Sequence, residues 1–134
     1  MKVPARGAPP PDVLARLRLI CLEFPEAREE AAWAGIRWNI GPKNFAHALA
    51  IDDGWPPAYA RAPSIDGGCV CTFRLSREQC AAPRFRRAPY FRPVWFPNIA
   101  GVRIDARTDW DELELLLKES YRVLAPAKLA ARIE

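Results

Sequence analysis

Two runs of alternating side chains, separated by a short turn sequence, constrain the fold of this chain more than any other feature. In the first run Ile36, Trp38 and Ile40 alternate with polar residues, and the second run spans residues 45–51. Successive side chains of a strand point to opposite faces, so this period predicts two half-buried strands. The residues at 41–44, Gly-Pro-Lys-Asn, have the chemistry of a tight turn and lack the glycine spacing and Gly-Lys-Ser/Thr ending of a Walker phosphate loop. We therefore predict a β-hairpin.

The second strand of this hairpin contains the chain's only histidine. The alternation is expected to place Phe45, His47, Leu49 and Ile51 on one face and Ala46, Ala48 and Ala50 on the other. A catalytic histidine needs a group that orients its ring and a nearby substrate site, and no serine or cysteine motif accompanies this one. We therefore expect His47 to be structural.

Helical periodicity appears at both ends of the chain. Apolar residues recur at helical spacing over about 12–23 and predict a first helix that ends before a proline. Asp109 and Glu112 are spaced like a capping box, and the leucine-rich stripe that follows predicts a long helix over 109–124. A short final helix is expected after Pro126.

The middle of the chain holds shorter elements. Residues 69–75 alternate like a strand, and Ser76 is placed to cap a short helix after it. The proline-studded stretch at 83–98 is expected to be a loop with one edge strand, followed by a last strand at about 100–105. The stretch at 52–68 breaks all periodicity, and loops of this length are usually functional or disordered.

The order of these elements predicts an α+β fold. Short connections between the first strands favour an antiparallel sheet, and the amphipathic helices are expected to pack on one of its faces. The length of 134 residues suits one domain with a real core. We predict a single domain over 12–134, preceded by a flexible proline-rich arm at 1–11.

Several classes of protein and site are disfavoured by the sequence. No apolar run approaches the roughly 18 residues of a membrane span, and the N-terminus lacks the apolar region of a secretory signal. We therefore expect a cytoplasmic protein whose four cysteines are thiols. Cys69 and Cys71 lack the Cys-x2-Cys pairs of zinc sites, and their alternation favours packing in the core. No metal or other cofactor is predicted.

Two acidic pairs, Glu29-Glu30 and Asp52-Asp53, are further candidates for a site. Paired carboxylates can hold magnesium or serve as an acid and a base. Nothing in the sequence indicates that the two pairs meet, so we interpret them as solvated turn residues.

Three segments together resemble the YjbR/MmcQ family of small bacterial proteins. ICLEFPEAREEAAW resembles the family's opening helix and acidic pair, IRWNIGPKNFAHAL its hairpin, and GVRIDARTDWDELELLLKESYRVLAPAKLA its closing strand and helix. The resemblance covers about residues 13–131, although Ala100-Gly101 replaces the tryptophan that usually precedes the family's closing strand. It implies an α+β fold akin to type III secretion chaperones. It also implies a DNA-binding label, which comes from likeness to double-wing structures and is therefore an analogy between folds.

The segment RFRRAPYFRPVW, residues 84–95, is the strongest candidate for a binding surface. Arginines can neutralise phosphates while aromatic rings stack on bases, a combination typical of single-strand binding. The alternative is a basic surface loop whose aromatic side chains dock on the core. The candidate nucleic-acid-binding residues are Arg84, Arg86, Arg87, Tyr90, Phe91 and Arg92 in this segment, with Arg37 and Lys43 on the hairpin.

These features predict a non-enzymatic, nucleic-acid-binding module with DNA as the expected partner. The net charge of +4, carried by 16 arginines and 4 lysines against 16 acidic residues, permits such contact without requiring it. The alternative is a protein-interaction or chaperone-like module that holds a peptide on its sheet face or aromatic loop. An enzyme is not expected, because no catalytic constellation appears. We further expect a monomer or weak dimer that does not contact membranes.

Overall fold

A six-stranded antiparallel sheet lies at the centre of the computed structural model, which describes residues 7–51, 55, 68–93 and 97–133. The strands are β1 (Arg28–Ala31), β2 (Ile36–Ile40), β3 (Lys43–Ile51), β4 (Gly68–Arg74), β5 (Tyr90–Phe91) and β6 (Ile99–Ile104). The helices are α1 (Pro11–Cys21), α2 (Arg77–Cys80), α3 (Trp110–Leu124) and α4 (Ala127–Ala130), with 3₁₀ turns at Pro83–Arg86 and Ala131–Ile133. The strands are ordered β1-β2-β3-β4-β6-β5, and α1 and α3 pack on one face of the sheet. The predicted α+β fold is confirmed.

The predicted hairpin is confirmed as β2 and β3, with Gly41 at a φ of +58° in its turn. The predicted alternation is wrong at one position. Trp38 pairs with Ala46 but the next residue of β2 pairs with Asn44, so Phe45 is an extra residue in a β-bulge. The bulge places Phe45 and Ala46 in the same buried cluster. Phe45 therefore faces the helices instead of sharing a face with His47.

The main core lies on the face of the sheet that α1 and α3 cover, which we call the helix-covered face. Both helices contribute buried apolar side chains to this core, and α3 packs on β3 and β4, where Ala46 and Ala48 supply small side chains. Small side chains at these positions leave room for the helices to approach the sheet closely. The hydroxyl of Ser120 donates to the carbonyl of Phe45 at 2.6 Å and accepts the backbone N–H of Arg74 at 2.8 Å. These two bonds hold α3 against β3 and β4.

The opposite face of the sheet carries a second, smaller core. Its buried members are Ala34, Leu49, Ile51, Val70 and Phe91. His47 lies on this face and donates Nε2–H to the carbonyl of Ala34 at 2.5 Å. The ring of Phe91 lies directly over Gly101, where an added Cβ would overlap the ring. On this face the side chain of Phe91, from the edge strand β5, therefore packs tightly over a glycine of the neighbouring strand β6.

All four cysteines are buried free thiols. Cys69 and Cys71 belong to the core of the helix-covered face, which confirms the prediction that they pack there. Burial raises the pKa of Cys69 to about 12 and also raises that of Cys71. Neither sulfur is therefore a thiolate at neutral pH, the form that nucleophiles and metal ligands require.

The first residues of α2 and α3 are capped by the side chains that the sequence predicts. Asp109 caps α3 as predicted, because its carboxylate accepts the N–H of Glu112 at 3.1 Å. The reciprocal half of the capping box is absent, since the carboxylate of Glu112 is paired with Arg84. At α2 the box is complete: Ser76 and Gln79 exchange bonds of 3.0 and 2.9 Å.

The first strand contradicts the prediction for one acidic pair. Glu29 and Glu30 were expected in a solvated turn, but both lie in β1, the edge strand paired with β2. Arg18 donates to Glu29 through Nε at 2.9 Å and Nη2 at 2.8 Å, and the indole of Trp38 donates to the same carboxylate at 3.0 Å. These side-chain bonds attach β1 to α1 and β2, which explains why so polar a segment forms a strand.

Some of the sequence-based predictions lie outside the described residues. These are residues 1–6 of the predicted N-terminal arm, the second acidic pair, Asp52 and Asp53, most of the stretch at 52–68, and Trp95. Within that stretch Trp55 is described, and its ring contacts Trp33 edge-on with centroids 5.5 Å apart. In the described ranges, no helix combines the length and the apolar character needed to cross a membrane.

Candidate nucleic-acid interface

The arginine segment, defined as residues 83–93, connects α2 to β6 and carries four arginines and no acidic residue. It begins with the 3₁₀ turn and ends just after β5, which pairs with β6. Because β5 is the last strand in the sheet order, the segment places positive charge at one edge of the sheet.

Arg84 is held in place by several partners at once. Its guanidinium pairs with Glu112 of α3 and donates to the hydroxyl of Tyr90 at 3.3 Å. The same group lies over the rings of Phe85 and Tyr90, 4.9 and 5.2 Å from their centroids. Burial raises the pKa of the Tyr90 phenol, and the neighbouring Glu112 carboxylate raises it further. Arg84 therefore attaches the segment to α3, and its charge is already neutralised.

Arg86 and Arg87 differ from Arg84 in both exposure and pairing. Both side chains are exposed. Within the described part of the chain, no ion pair or side-chain hydrogen bond joins their guanidinium groups to another residue. These two neighbouring cations are therefore available to an external anion without breaking an internal contact.

The aromatic residues of the segment dock on the protein, as the alternative interpretation expected. Phe85 is buried and its ring contacts Phe73 and Tyr90 edge-on. Phe91 is only 1% exposed and packs on Gly101, so it cannot stack on a base while it remains there. Tyr90 is half-buried beside Arg84. The described aromatic rings consequently anchor the segment and do not form an open stacking platform.

Arg92 lies deeper than the other arginines of the segment. Its Nε is buried and has no hydrogen-bond partner within the described residues. Burial raises the pKa of the Cys80 thiol, and the nearby positive charge of Arg92 opposes that effect. Arg92 therefore lies close to the core, where it is a weaker candidate for phosphate contact than Arg86 or Arg87.

The two hairpin candidates lie away from the arginine segment. Arg37, on β2, donates to Glu30 at 2.5 Å, and Lys43 is exposed at the start of β3. Between β2 and β5 lie β3, β4 and β6. At about 4.8 Å per strand, Arg37 is roughly 19 Å from the segment measured across the sheet. The structure therefore does not unite these residues into one surface.

The other candidate features of the described residues are His47 and the side chains that could hold a metal ion. His47 is bonded to a backbone carbonyl on the opposite face of the sheet, and its burial lowers its pKa. In the described ranges, no group of three or more His, Cys, Asp or Glu side chains is placed to hold a metal ion.

A groove that the sequence patterns do not reveal lies beside the arginine segment. It has a volume of about 500 Å³, with walls formed by residues 88–90, the end of β6 and the loop after it, and the first two turns of α3. The charged residues that line it are Arg103, Asp105, Arg107, Asp109 and Glu112, although the register of β6 directs the side chain of Arg103 to the opposite face of the sheet. Sequence reasoning misses this site because the walls come from three separate segments.

No family model, curated protein or solved structure matches the chain. The resemblance to the YjbR/MmcQ family stays a prediction, and the site is interpreted from the geometry and charge of the described residues.

Proposed function

We propose that this protein is a non-enzymatic module that binds nucleic acid through phosphate contacts from the arginine segment, with Arg86 and Arg87 as the principal contacts. One observation carries the proposal. Arg18, Arg37 and Arg84 each form an ion pair with a carboxylate, whereas Arg86 and Arg87 are exposed and have no such partner within the described residues.

The pairing pattern matters because a guanidinium that is already bonded to a carboxylate must give up that bond to bind phosphate. Exposed and unpaired guanidinium groups avoid this loss and can bind phosphate oxygens through two parallel hydrogen bonds. Arg86 and Arg87 are adjacent, and their segment has no acidic residue. Their combined positive charge therefore also attracts a polyanion at distances beyond those of direct hydrogen bonds.

The same geometry favours recognition of the backbone over recognition of bases. Phosphate contacts position a nucleic acid but carry no direct sequence information, and the described aromatic rings of the segment are engaged with the protein. We therefore expect binding to DNA with little sequence preference. The YjbR/MmcQ resemblance agrees with this proposal as an analogy.

The experiment is a titration of a fluorescent 20-base-pair duplex of random sequence at several salt concentrations. Each phosphate contact contributes about 0.9 to the slope of log K against log salt. Arg86→Ala/Arg87→Ala should therefore weaken binding and reduce the slope by up to about 1.8. Its stability should change by only about 0.5 kcal/mol per substitution, because both side chains are exposed.

A matched control removes two positive charges elsewhere. Arg28→Ala/Lys128→Ala has the same net charge as the test variant, and both side chains are exposed, one on β1 and one on α4. We expect it to bind almost as well as the wild type. Equal losses in both variants would show that only net charge matters.

Two other outcomes contradict the proposal more directly. If Arg86→Ala/Arg87→Ala binds unchanged, the arginine segment is not the interface. If the wild type shows no salt-sensitive binding to duplex or single-stranded DNA, the nucleic-acid proposal fails. Salt-insensitive binding of an apolar peptide would then favour the protein-interaction alternative.

A further inference from the structure

Trp33, in the turn between β1 and β2, is the one aromatic side chain in the described ranges that is exposed. Its exposed fraction is 66%, and the other exposed large hydrophobic side chains of the described residues are aliphatic. An indole has a large rigid face and only two side-chain torsions, so it can bind a flat partner at a small cost in conformational entropy. Trp33 therefore supplies the open aromatic ring that the arginine segment lacks.

The turn that carries Trp33 is held by its neighbours in the fold. Ala32 donates its N–H to the carbonyl of Gly35 at 3.0 Å. Ala34 is fully buried, and its carbonyl is bonded to His47 of β3. Gly35 has a φ of +75°, and a Cβ at this position would collide with the backbone of β3. The turn is thus packed closely on β3, and it presents Trp33 to solvent from an ordered backbone.

The groups around Trp33 leave its ring accessible to a polyanion. Trp55 contacts the ring edge-on and supports it from one side. The two carboxylates of β1, Glu29 and Glu30, are each paired with an arginine. In β1 and the turn that follows it, the negative charge is therefore compensated within the protein.

Trp33 lies at the same end of the sheet as the arginine segment. The register places Ile36, the first residue of β2, and Tyr90, the first residue of β5, in one row across the sheet. The two strands run in the same direction, and Trp33 and Arg87 each precede this row by three residues. Four strand spacings of about 4.8 Å make the row roughly 19 Å long. With a phosphate about every 3.4 Å along a stacked strand, this length corresponds to about six nucleotides.

We propose that Trp33 stacks on an unpaired base of single-stranded DNA whose phosphates contact Arg86 and Arg87. This role of Trp33 rests on the proposed function, because the two arginines supply the attraction for the phosphate chain. Stacking on an aromatic ring tolerates any sequence, since every base has a π face. The bases of a duplex are stacked on one another, so Trp33 adds nothing to duplex binding. Single strands are therefore the ligand that uses both parts of the surface.

The test compares Trp33→Ala with the wild type on two fluorescent probes, an oligo(dT) of about twelve nucleotides and a duplex of random sequence. The variant should bind oligo(dT) about ten-fold more weakly, since the stacking of one base on an aromatic ring contributes on that order to the affinity. Its affinity for the duplex should be unchanged. The slope of log K against log salt should also be unchanged for both probes, because stacking neutralises no phosphate.

Two further variants serve as controls. Trp33→Phe keeps an aromatic ring and should lose less affinity for oligo(dT) than Trp33→Ala. Leu115→Ala removes a side chain of α3 that is also 66% exposed, and it should change the affinity for neither probe. Arg86→Ala/Arg87→Ala, in contrast, should weaken binding to both probes and reduce both salt slopes.

Two results would overturn this role of Trp33. They are an unchanged affinity for oligo(dT) in folded Trp33→Ala, and equal losses on oligo(dT) and on the duplex. If Trp33→Ala does not fold, Trp33→Leu, which keeps apolar bulk without a ring, takes its place with the same expectations. Weaker self-association of the variant with unchanged DNA binding would assign the ring to a contact between copies of the protein instead.

The same titrations separate this inference from the proposed function. If the arginine variant loses affinity while Trp33→Ala does not, the phosphate contacts stand and only the stacking fails. If the wild type binds neither probe, both proposals fail.

Discussion

The two faces of the sheet are covered in different ways. The helix-covered face is buried under α1 and α3, and its core includes Trp38, Phe45 and Tyr121. The smaller core of the opposite face consists of side chains from the strands themselves, with Ala34 of the β1–β2 turn packed against them. The first core is larger and involves two long helices, whereas the second depends on a few close contacts between local segments.

This difference also appears in the polar groups of each face. On the helix-covered side, Ser120 and Tyr121 bond to backbone carbonyls of distant segments, at 2.6 Å for Phe45 and 2.7 Å for Pro25. On the opposite face, the half-buried His47 bonds to a loop carbonyl. The helix-covered face therefore has no group that titrates near neutral pH in these contacts, and the opposite face has one. Three substitutions can separate the two faces.

The largest expected effect is that of Phe45→Ala. Phe45 is fully buried, and its ring contacts Phe24 and Tyr121 with centroids 5.8 and 5.6 Å apart. Truncation of a buried phenylalanine typically costs about 3–5 kcal/mol, because the apolar contact is lost and a cavity remains. Urea unfolding followed by circular dichroism measures the loss. The exposed Leu19→Ala on α1 is the control and should change the free energy of unfolding by less than about 0.5 kcal/mol. A cost below about 1 kcal/mol for Phe45→Ala would contradict the assignment of the bulge residue to the main core.

An intermediate effect is expected for Gly101→Ala on the opposite face. The added methyl group would overlap the ring of Phe91, and overpacking of this kind typically costs about 1–3 kcal/mol. Phe91→Leu in the same chain should restore part of this loss, because it removes the aromatic ring from over position 101. The two changes should therefore be non-additive in urea unfolding. Additive losses would show that Gly101 is needed for another reason.

Much of the fold could be predicted from the sequence because the signals are local. The hairpin follows from alternation and turn chemistry, and α3 follows from its cap at Asp109 and its apolar stripe. The bulge at Phe45 could not be predicted, since it depends on how two strands pair. The strand β1 was missed because its polar side chains are satisfied by Arg18 of α1 and Arg37 of β2, and these contacts form only when the three elements pack together.

The candidate site could be predicted only in part. The concentration of arginines at residues 84–92 is visible in the sequence, but the pairing of Arg84 with Glu112 joins residues that are 28 positions apart. The sequence also cannot show that Phe91 is turned inward over Gly101. Composition thus identifies the charged segment, whereas tertiary contacts determine which of its members remain available.

The smallest effect is a pH dependence that His47 brings to the opposite face. Burial lowers the pKa of His47 in the folded protein, the carbonyl of Ala34 partly opposes this, and Arg37 lowers the pKa further. An unfolded histidine titrates at about 6.5, so below that pH the unfolded chain binds a proton more readily than the folded one. The free energy of unfolding should therefore be highest above about pH 6.5 and should decrease as the pH falls below that value.

Urea unfolding at intervals between about pH 5.5 and 7.5 measures this dependence in a range where carboxylates and thiols contribute little. One proton limits the slope to about 1.4 kcal/mol per pH unit. His47→Gln retains an N–H donor but cannot titrate, so its stability should be nearly constant over the same range. As the only histidine in the chain is at this position, a slope that persists in the variant would refute the assignment. A free energy of unfolding that does not change with pH in the wild type would show instead that the opposite face accommodates the protonated ring. This face would then resemble the helix-covered one, because neither would have a contact that titrates near neutral pH.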